Sequence, residues 1–281
     1  MNKDNKIINV TIGADPEMFL QDVNTGKFIS VVGLVGGTKK KPLAITNEGH
    51  AIQEDNCAVE FNIPPCKTAE ELVKHITFVK DYISDTILKP KGLELAIQAS
   101  AMFEPDQLMT QQSQMFGCDS DDNAWTGETN EINRVGIDPL LRSAGSHIHI
   151  GYDNPNTKTS LELVKAIDLF ITLPSVLLDD DTRRRELYGK AGAYRLKKFG
   201  VEARSPSNFW IKTPELISWV HQQVLTAVEW VNFGGIITNP EQIVEAINTN
   251  NKELALQIID DYHIQMPEEV GLLTEAADRK A

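Results

Sequence analysis

A chain of 281 residues with 41% apolar content can bury a substantial core, and at roughly 150 residues per domain it reads as one large domain or two small ones. Its formal net charge of −13 excludes broad electrostatic attachment to nucleic acid or an anionic membrane, since phosphate contacts need clustered Lys and Arg. With no apolar run of about 18 residues, no leader-like order in Met1 to Val10, and Cys57, Cys66 and Cys118 too scattered for a disulfide framework, a cytoplasmic protein is expected.

Ile7 to Ile12 and Glu17 to Leu20 predict short strands, with Asp22 to Gly26 the tip of a hairpin that returns through Phe28 to Val32. Gly33 to Pro42 is a Gly- and Lys-rich loop without P-loop spacing, read as a flexible turn or a phosphate-contacting lid. Ala51 to Ile63 predicts one strand, stopped by Pro64-Pro65. Thr68-Ala-Glu-Glu71 is a capping box, and Leu72, Ile76, Val79, Ile83 and Ile87 form the apolar stripe of the helix it opens. Leu93 to Phe103 predicts a strand, Glu104 to Val135 a long polar loop, and Leu141 to Tyr152 another strand.

Thr159 to Glu162 predicts the start of a helix running towards Leu178, kinked at Pro174. Asp179 to Lys198 is dense in charge, Phe199 to Arg204 predicts the last strand, and Thr213-Pro and Asn239-Pro open two helices. The expected division is a catalytic domain over residues 1–212 with a helical extension, 213–281, packed on it, the final Thr274 to Ala281 fraying.

In a strand, residues two apart share a face, so a polar-x-polar triplet with apolar neighbours sets two functional groups side by side. Four triplets do this: Asp15-Pro-Glu17, Glu60-Phe-Asn62, His147-Ile-His149 and Glu202-Ala-Arg204. Each alone has a bland reading as a turn, a structural histidine or a surface ion pair. Together they argue for a site, because carboxylates on apolar strands are costly to bury without a balancing cation. The donors are carboxylates with at most two His and no Cys, which suits Mg²⁺ or Mn²⁺ better than structural zinc. Lys190, Arg195, Lys197 and Arg204 crowd the last carboxylate, and guanidinium forks suit phosphate oxygens. Arg183 to Arg185 read rather as a solvated charged loop.

The order of these segments, Gly13 to Glu17, Asp55 to Asn62, Gly145 to Gly151 and Tyr194 to Arg204, resembles the glutamine synthetase and glutamate–cysteine ligase superfamily. It is most similar to that superfamily's phage and bacterial COOH–NH₂ ligase group, over about Ile12 to Trp210. The resemblance implies an α+β fold, a glutamine synthetase-like antiparallel sheet curved around the site with helices packed on one face. It also implies ATP and two divalent ions as cofactors. By position, Glu17 and Glu60 would bind one ion and Asp15, His147 and Glu202 the other. Arg195 and Arg204 would hold the transferring phosphoryl group, His149 would lie near the nucleotide phosphates, and Lys190, Lys197 and Asn62 are further candidate nucleotide contacts. Two departures stand out: Asp15 is a methylene shorter than the usual Glu, and neutral Asn62 argues against a third ion.

The activity implied is ATP-dependent ligation of a carboxylate to an amine through an acyl phosphate, giving an amide or isopeptide, in a host's cytoplasm if the gene is a phage's. Small-molecule or peptide carboxylates and amines are the expected partners, with neither nucleic acid nor membrane among them. Three other readings remain: a metal-dependent hydrolase built on His147-x-His149, a guanidino-type phosphotransferase, and a degenerate nucleotide-binding protein. Phe116 to Trp125 is the candidate recognition loop, with Trp125 to stack on an ammonium and Cys118 a weaker candidate nucleophile.

Overall fold

A computed structural model describes residues 6–116 and 120–267 of the chain. Strands β1 (Thr11–Ala14) and β2 (Glu17–Asp22) flank Asp15-Pro16, and β3 (Phe28–Ile29) returns along β2 after a turn in which Asp22 Oδ1 accepts from the amides of Asn24 and Thr25. After β4 (Leu43–Ala44), the single strand expected over residues 51–63 is instead a hairpin of β5 (Ala51–Asp55) and β6 (Ala58–Asn62). Its turn depends on Asn56 at φ 54°, a left-handed conformation that Asn tolerates better than most residues. Thr68 closes both halves of the predicted capping box on helix α1 (Ala69–Tyr82), which buries Leu72, Ile76 and Val79. Ile83 continues the stripe in full burial, while Ile87 is half-buried.

Two more predicted strands are broken. Residues 93–103 form β7 (Leu93–Ala96) and β8 (Ser100–Met102), and the polar stretch that follows contains β9 (Asp121–Asn123) and β10 (Thr129–Asn130). Residues 141–152 form β11 (Leu141–Ser143) and β12 (Ile148–Gly151), because the chain between them swings aside so that Gly145 can bond both the amide and the carboxylate of Glu17. Helix α2 (Thr157–Ile167) starts earlier than expected, since Asn156 caps it by accepting from the Thr159 amide. Then come α3 (Leu173–Leu178), with Pro174 in its first turn, and the short α4 (Arg184–Leu187).

The last predicted strand is one arm of a hairpin, β13 (Ala193–Lys197) and β14 (Gly200–Ala203), turned at Lys198-Phe199. Gly200 sits at φ 151°, and a Cβ there would lie 2.1 Å from the Ile150 carbonyl oxygen, so the neighbouring strand can approach only a glycine. Helices α5 (Pro214–Asn232), α6 (Pro240–Thr249) and α7 (Lys252–Asp261) complete the chain, with Thr213 capping α5 as predicted.

The result is an α+β arrangement of antiparallel sheets. One runs in the order β1-β12-β14-β13-β9-β10 and a second β3-β2-β6-β5-β4, with β7 also on β2, while β8 and β11 form a small ribbon. Helix α2 lies against β13 and β14, and α5 packs on α1 and α2. One continuous core runs from Ile7 to Ile264 through both strands and helices. Met18, Val59, Phe61, Ile148, Ile150, Val201 and Ala203 are buried, which leaves the alternate positions of the same strands to the other face. No described helix is long and apolar enough to cross a membrane.

Candidate active site

Strand register builds the site in two rows. In the first sheet His149 pairs with Gly13 on one side and Glu202 on the other, and Glu202 pairs with Arg195. In the second, Glu60 lies between Glu17 and Gln53. The Asp15-Pro16 link joins β1 to β2, and so the rows to each other. Asn208 fastens this corner from behind, donating to the carbonyls of Glu17 at 2.8 Å and Gln98 at 3.0 Å.

The first row carries its own countercharge. His147 Nδ1 lies 3.0 Å from Asp15 Oδ1 and 3.7 Å from Glu202 Oε1, while His149 Nε2 lies 3.4 Å from Asp15 Oδ2 and 3.8 Å from Glu202 Oε2. Glu202 also pairs with Lys197 and with Arg204. Burial acts to raise the Asp15 carboxyl, but His147 and then His149 outweigh it and hold the group well below the carboxylate range. Glu202 is also held low: burial and Asp15 push it up, and His147, Arg204 and His149 prevail. Burial lowers His149 too, yet Asp15 reverses this and raises it, whereas burial and Arg204 leave His147 lowered.

The second row has no such balance. Glu17, Asp55 and Glu60 bring carboxylate oxygens within 4.8 Å of one another. The cation paired there is Lys39, 3.0 Å from Asp55 Oδ2. Burial and then repulsion from Asp55 push Glu17 from its ordinary 4.5 to about 7, against the hydrogen bond it accepts from the Gly145 amide. Burial, Asp15 and Glu17 push Glu60 well above its ordinary value. Gln53 Oε1, across the strand from Glu60, is buried and has no hydrogen-bond partner among the described residues. Three crowded carboxylates with a buried amide oxygen across the strand could hold a hard divalent cation. A second group that could hold an ion combines Asp15, His149 and Glu202, with oxygen and nitrogen donors.

Beside Glu202 of the first row lies the arginine pair. Asp121 Oδ1 is 2.6 Å from Arg204 Nε and 3.3 Å from Arg195 Nη2, so one buried carboxylate from β9 binds both guanidiniums. Arg204 and Glu17 line one small cavity with Asp121, Gly145 and His147. A cation fork thus stands beside an anion cluster.

Asn62 ends β6 opposite Ala51 and is half-buried. Lys190 is in the turn before β13, where burial and Arg185 lower its pKa. Arg184 and Arg185 are buried rather than solvated: Arg184 donates to the carbonyls of Arg204 and Ser205, and Arg185 to Ser175 and Asn250. In the Gly-rich loop, the amides of Gly33, Val35 and Gly36 donate to the Glu54 carboxylate, so an internal anion occupies the loop's backbone donors. Cys118 falls outside the described residues.

Trp125 faces away from both rows. Its indole Nε1 donates to Asp168 Oδ2 at 2.7 Å, and its ring lines a cavity of about 910 Å³ with Trp230, Lys158 and Glu162. Asp168 is fully buried, and burial raises its carboxyl to about 6 despite that bond and one from Gly192. Trp125→Phe is therefore expected to cost about 1–3 kcal/mol of stability by leaving a buried carboxylate short of a donor. Chemical denaturation reads this directly, and an unchanged midpoint would mean the bond contributes nothing.

Sequence reasoning missed three site residues. Asp55 and Gln53 were legible in principle, because Asp55-Asn56 between two apolar alternating runs is a turn signal that splits the strand and turns Asp55 and Gln53 onto the Glu60 face. Asp121 carried no signal beyond that of an acidic loop.

A family model described as phage phiEco32-like COOH.NH2 ligase-type 2 matches residues 98–268. The match takes in His147, His149, Arg195, Glu202 and Arg204 and begins after Asp15, Glu17 and Glu60, which strand pairing brings to the same place. No curated protein matches the chain.

Proposed function

The chain belongs to the phage phiEco32-like COOH.NH2 ligase-type 2 family and is a ligase of that type; from that premise we propose an ATP- and divalent-metal-dependent enzyme that activates a carboxylate as an acyl phosphate. The observation that carries the proposal is the small cavity lined by both Glu17, a member of the carboxylate cluster, and Arg204, whose guanidinium suits phosphate oxygens. Its curled sheets suit a glutamine synthetase-like fold.

Glu17, Asp55 and Glu60 would hold one ion and Asp15, His149 and Glu202 a second. When bound, these ions supply charge neutralisation at the phosphate oxygens. Arg195 and Arg204 bind the oxygens of the transferring group, displacing Asp121, whose carboxylate fixes both guanidiniums before substrate arrives. His147 Nδ1 lies 3.0 Å from Asp15 Oδ1 and 3.1 Å from Arg204 Nη1, so according to its tautomer it donates to the carboxylate or accepts from the guanidinium. The acyl carbon is then attacked by the amine nitrogen and phosphate leaves, giving the amide. The hydrolase reading makes His147 and His149 a ligand pair but leaves the guanidiniums of Arg195 and Arg204 without a role, whereas the ligase reading employs them on phosphate.

Calorimetric titration of Mg²⁺-ATP, with and without EDTA, followed by phosphate-release assays over mixed carboxylates and amines, tests the reading. Metal-dependent nucleotide binding and phosphate release that requires both a carboxylate and an amine are expected. Phosphate release at the same rate without any amine would sink the ligase reading.

A further inference from the structure

A third group of potential ligands lies apart from both rows and is chemically unlike them. His50, immediately before β5, and His75, on α1, face each other with Nε2 of the first 2.7 Å from Nδ1 of the second. Glu48 completes a set in which one donor atom from each residue lies within 4.8 Å of the others. His50 is buried at 2% exposure, His75 is half-buried and Glu48 is at the surface, so the set opens outward. Phe78 packs on the His50 ring at 5.0 Å between centroids, giving the group one apolar wall.

The remaining nitrogen of His50 decides what the pair can do. His50 Nδ1 lies 2.7 Å from Thr46 Oγ1, and Oγ1 also accepts from the Glu48 amide at 3.2 Å. When Thr46 accepts the Nδ1 proton, the Nε2 lone pair points at His75. That is the arrangement of a metal-ligating histidine whose other nitrogen is held by an outer partner. Without an ion, two basic nitrogens share a single proton.

We propose that His50 Nε2, His75 Nδ1 and Glu48 form a site for a borderline transition cation, zinc foremost, with a fourth position open to water. Imidazole nitrogens prefer Zn²⁺ or Co²⁺ to Mg²⁺, so this site and the carboxylate clusters would take different metals from one solution. Ligand bonds of about 2.0–2.1 Å in tetrahedral geometry place two nitrogens about 3.3 Å apart, so the imidazoles must part by roughly half an ångström. The half-exposed His75 can supply that movement. The ion would staple the loop before β5 to α1, and thereby brace the strand that carries Asp55.

Cobalt titration of the full chain in saturating Mg²⁺, followed by visible absorption, provides the test. One equivalent of Co²⁺ is expected to give a ligand-field band of a low-coordinate nitrogen and oxygen site, displaced by Zn²⁺, with a rise in thermal midpoint. The band should disappear in His75→Ala, whose circular dichroism should match the wild type. Thr46→Val, which keeps all three ligands, should weaken affinity about 10- to 100-fold. Glu17→Gln should leave the band intact, which separates this site from the proposed ligase centre. No band in the wild type at millimolar Co²⁺, or an undiminished band in His75→Ala, would overturn the proposal.

Discussion

Glu17→Gln is expected to abolish ligation while making the metal-free protein more stable. Glu17 sits against Asp55 and Glu60, and burial together with the charges of Asp55 and then Asp15 raises its pKa from 4.5 to about 7. A raised carboxyl keeps its proton longer in the folded state than in the unfolded. Its effect on stability is therefore nil below about pH 4.5, grows increasingly unfavourable as pH climbs towards 7, and is level above that. A rise from 4.5 to about 7 corresponds to on the order of 3 kcal/mol. Glutamine mimics the protonated form, so in EDTA the variant and wild type should unfold alike near pH 4.5 and diverge by up to about 3 kcal/mol at pH 8. Added Mg²⁺ should close that gap by stabilising the wild type. Turnover above pH 7 should fall on the order of 10³-fold, since the ionised carboxylate is the form that would hold the ion. A variant less stable than wild type at pH 8 in EDTA would remove the electrostatic argument for a cation there.

Arg204→Gln should have the opposite balance, losing both stability and activity. Arg204 is 3% exposed and pairs with both Glu202 and Asp121, two buried carboxylates that would lose a counterion together. Breaking such a pair from one side costs about 3–5 kcal/mol. The phosphoryl-transfer step should slow on the order of 10³-fold or more, as when a transition-state arginine is removed. Unfolding could mimic inactivation, so Asp121→Asn is the control: the double variant should regain part of the lost stability without regaining turnover. Recovery of turnover in the double variant would reassign Arg204 from the phosphoryl group to Asp121 alone.

The sequence made the site's composition legible but not its grouping. Period-two alternation marks Glu60, His149 and Glu202 as one-face residues, and the strands do bury Phe61, Ile148 and Val201 on the other. The start and buried face of helix α1 were readable because its cap and stripe are local, whereas its end at Tyr82, inside a stripe that runs on to Ile83, carried no such signal. Alternation is blind to a tight turn inside an apolar run, so residues 51–63 read as one strand and Asp55 was not paired with Glu60. Which histidine joins which carboxylate depends on register between β12 and β14, a non-local property. Asp121 reaches the arginines through the pairing of β9 with β13, across some seventy residues of chain whose local pattern says nothing of it. Arg184 and Arg185 look like surface charge because their acceptors are distant carbonyls and amides.

Glu54 clamps three amides of the Gly-rich loop on one side of β5, while its neighbour Asp55 serves the acidic cluster on the other. Adjacent residues in a strand face opposite ways, so the two carboxylates are interchangeable in chemistry and distinguished by reading frame alone. One residue inserted between Asp55 and Asn56 with the turn kept in place would exchange them, sending Asp55's shorter side chain to the loop. Chain length between the loop and the turn is thus under tighter constraint than residue identity, and an indel there should be more damaging than any single exchange of Asp for Glu.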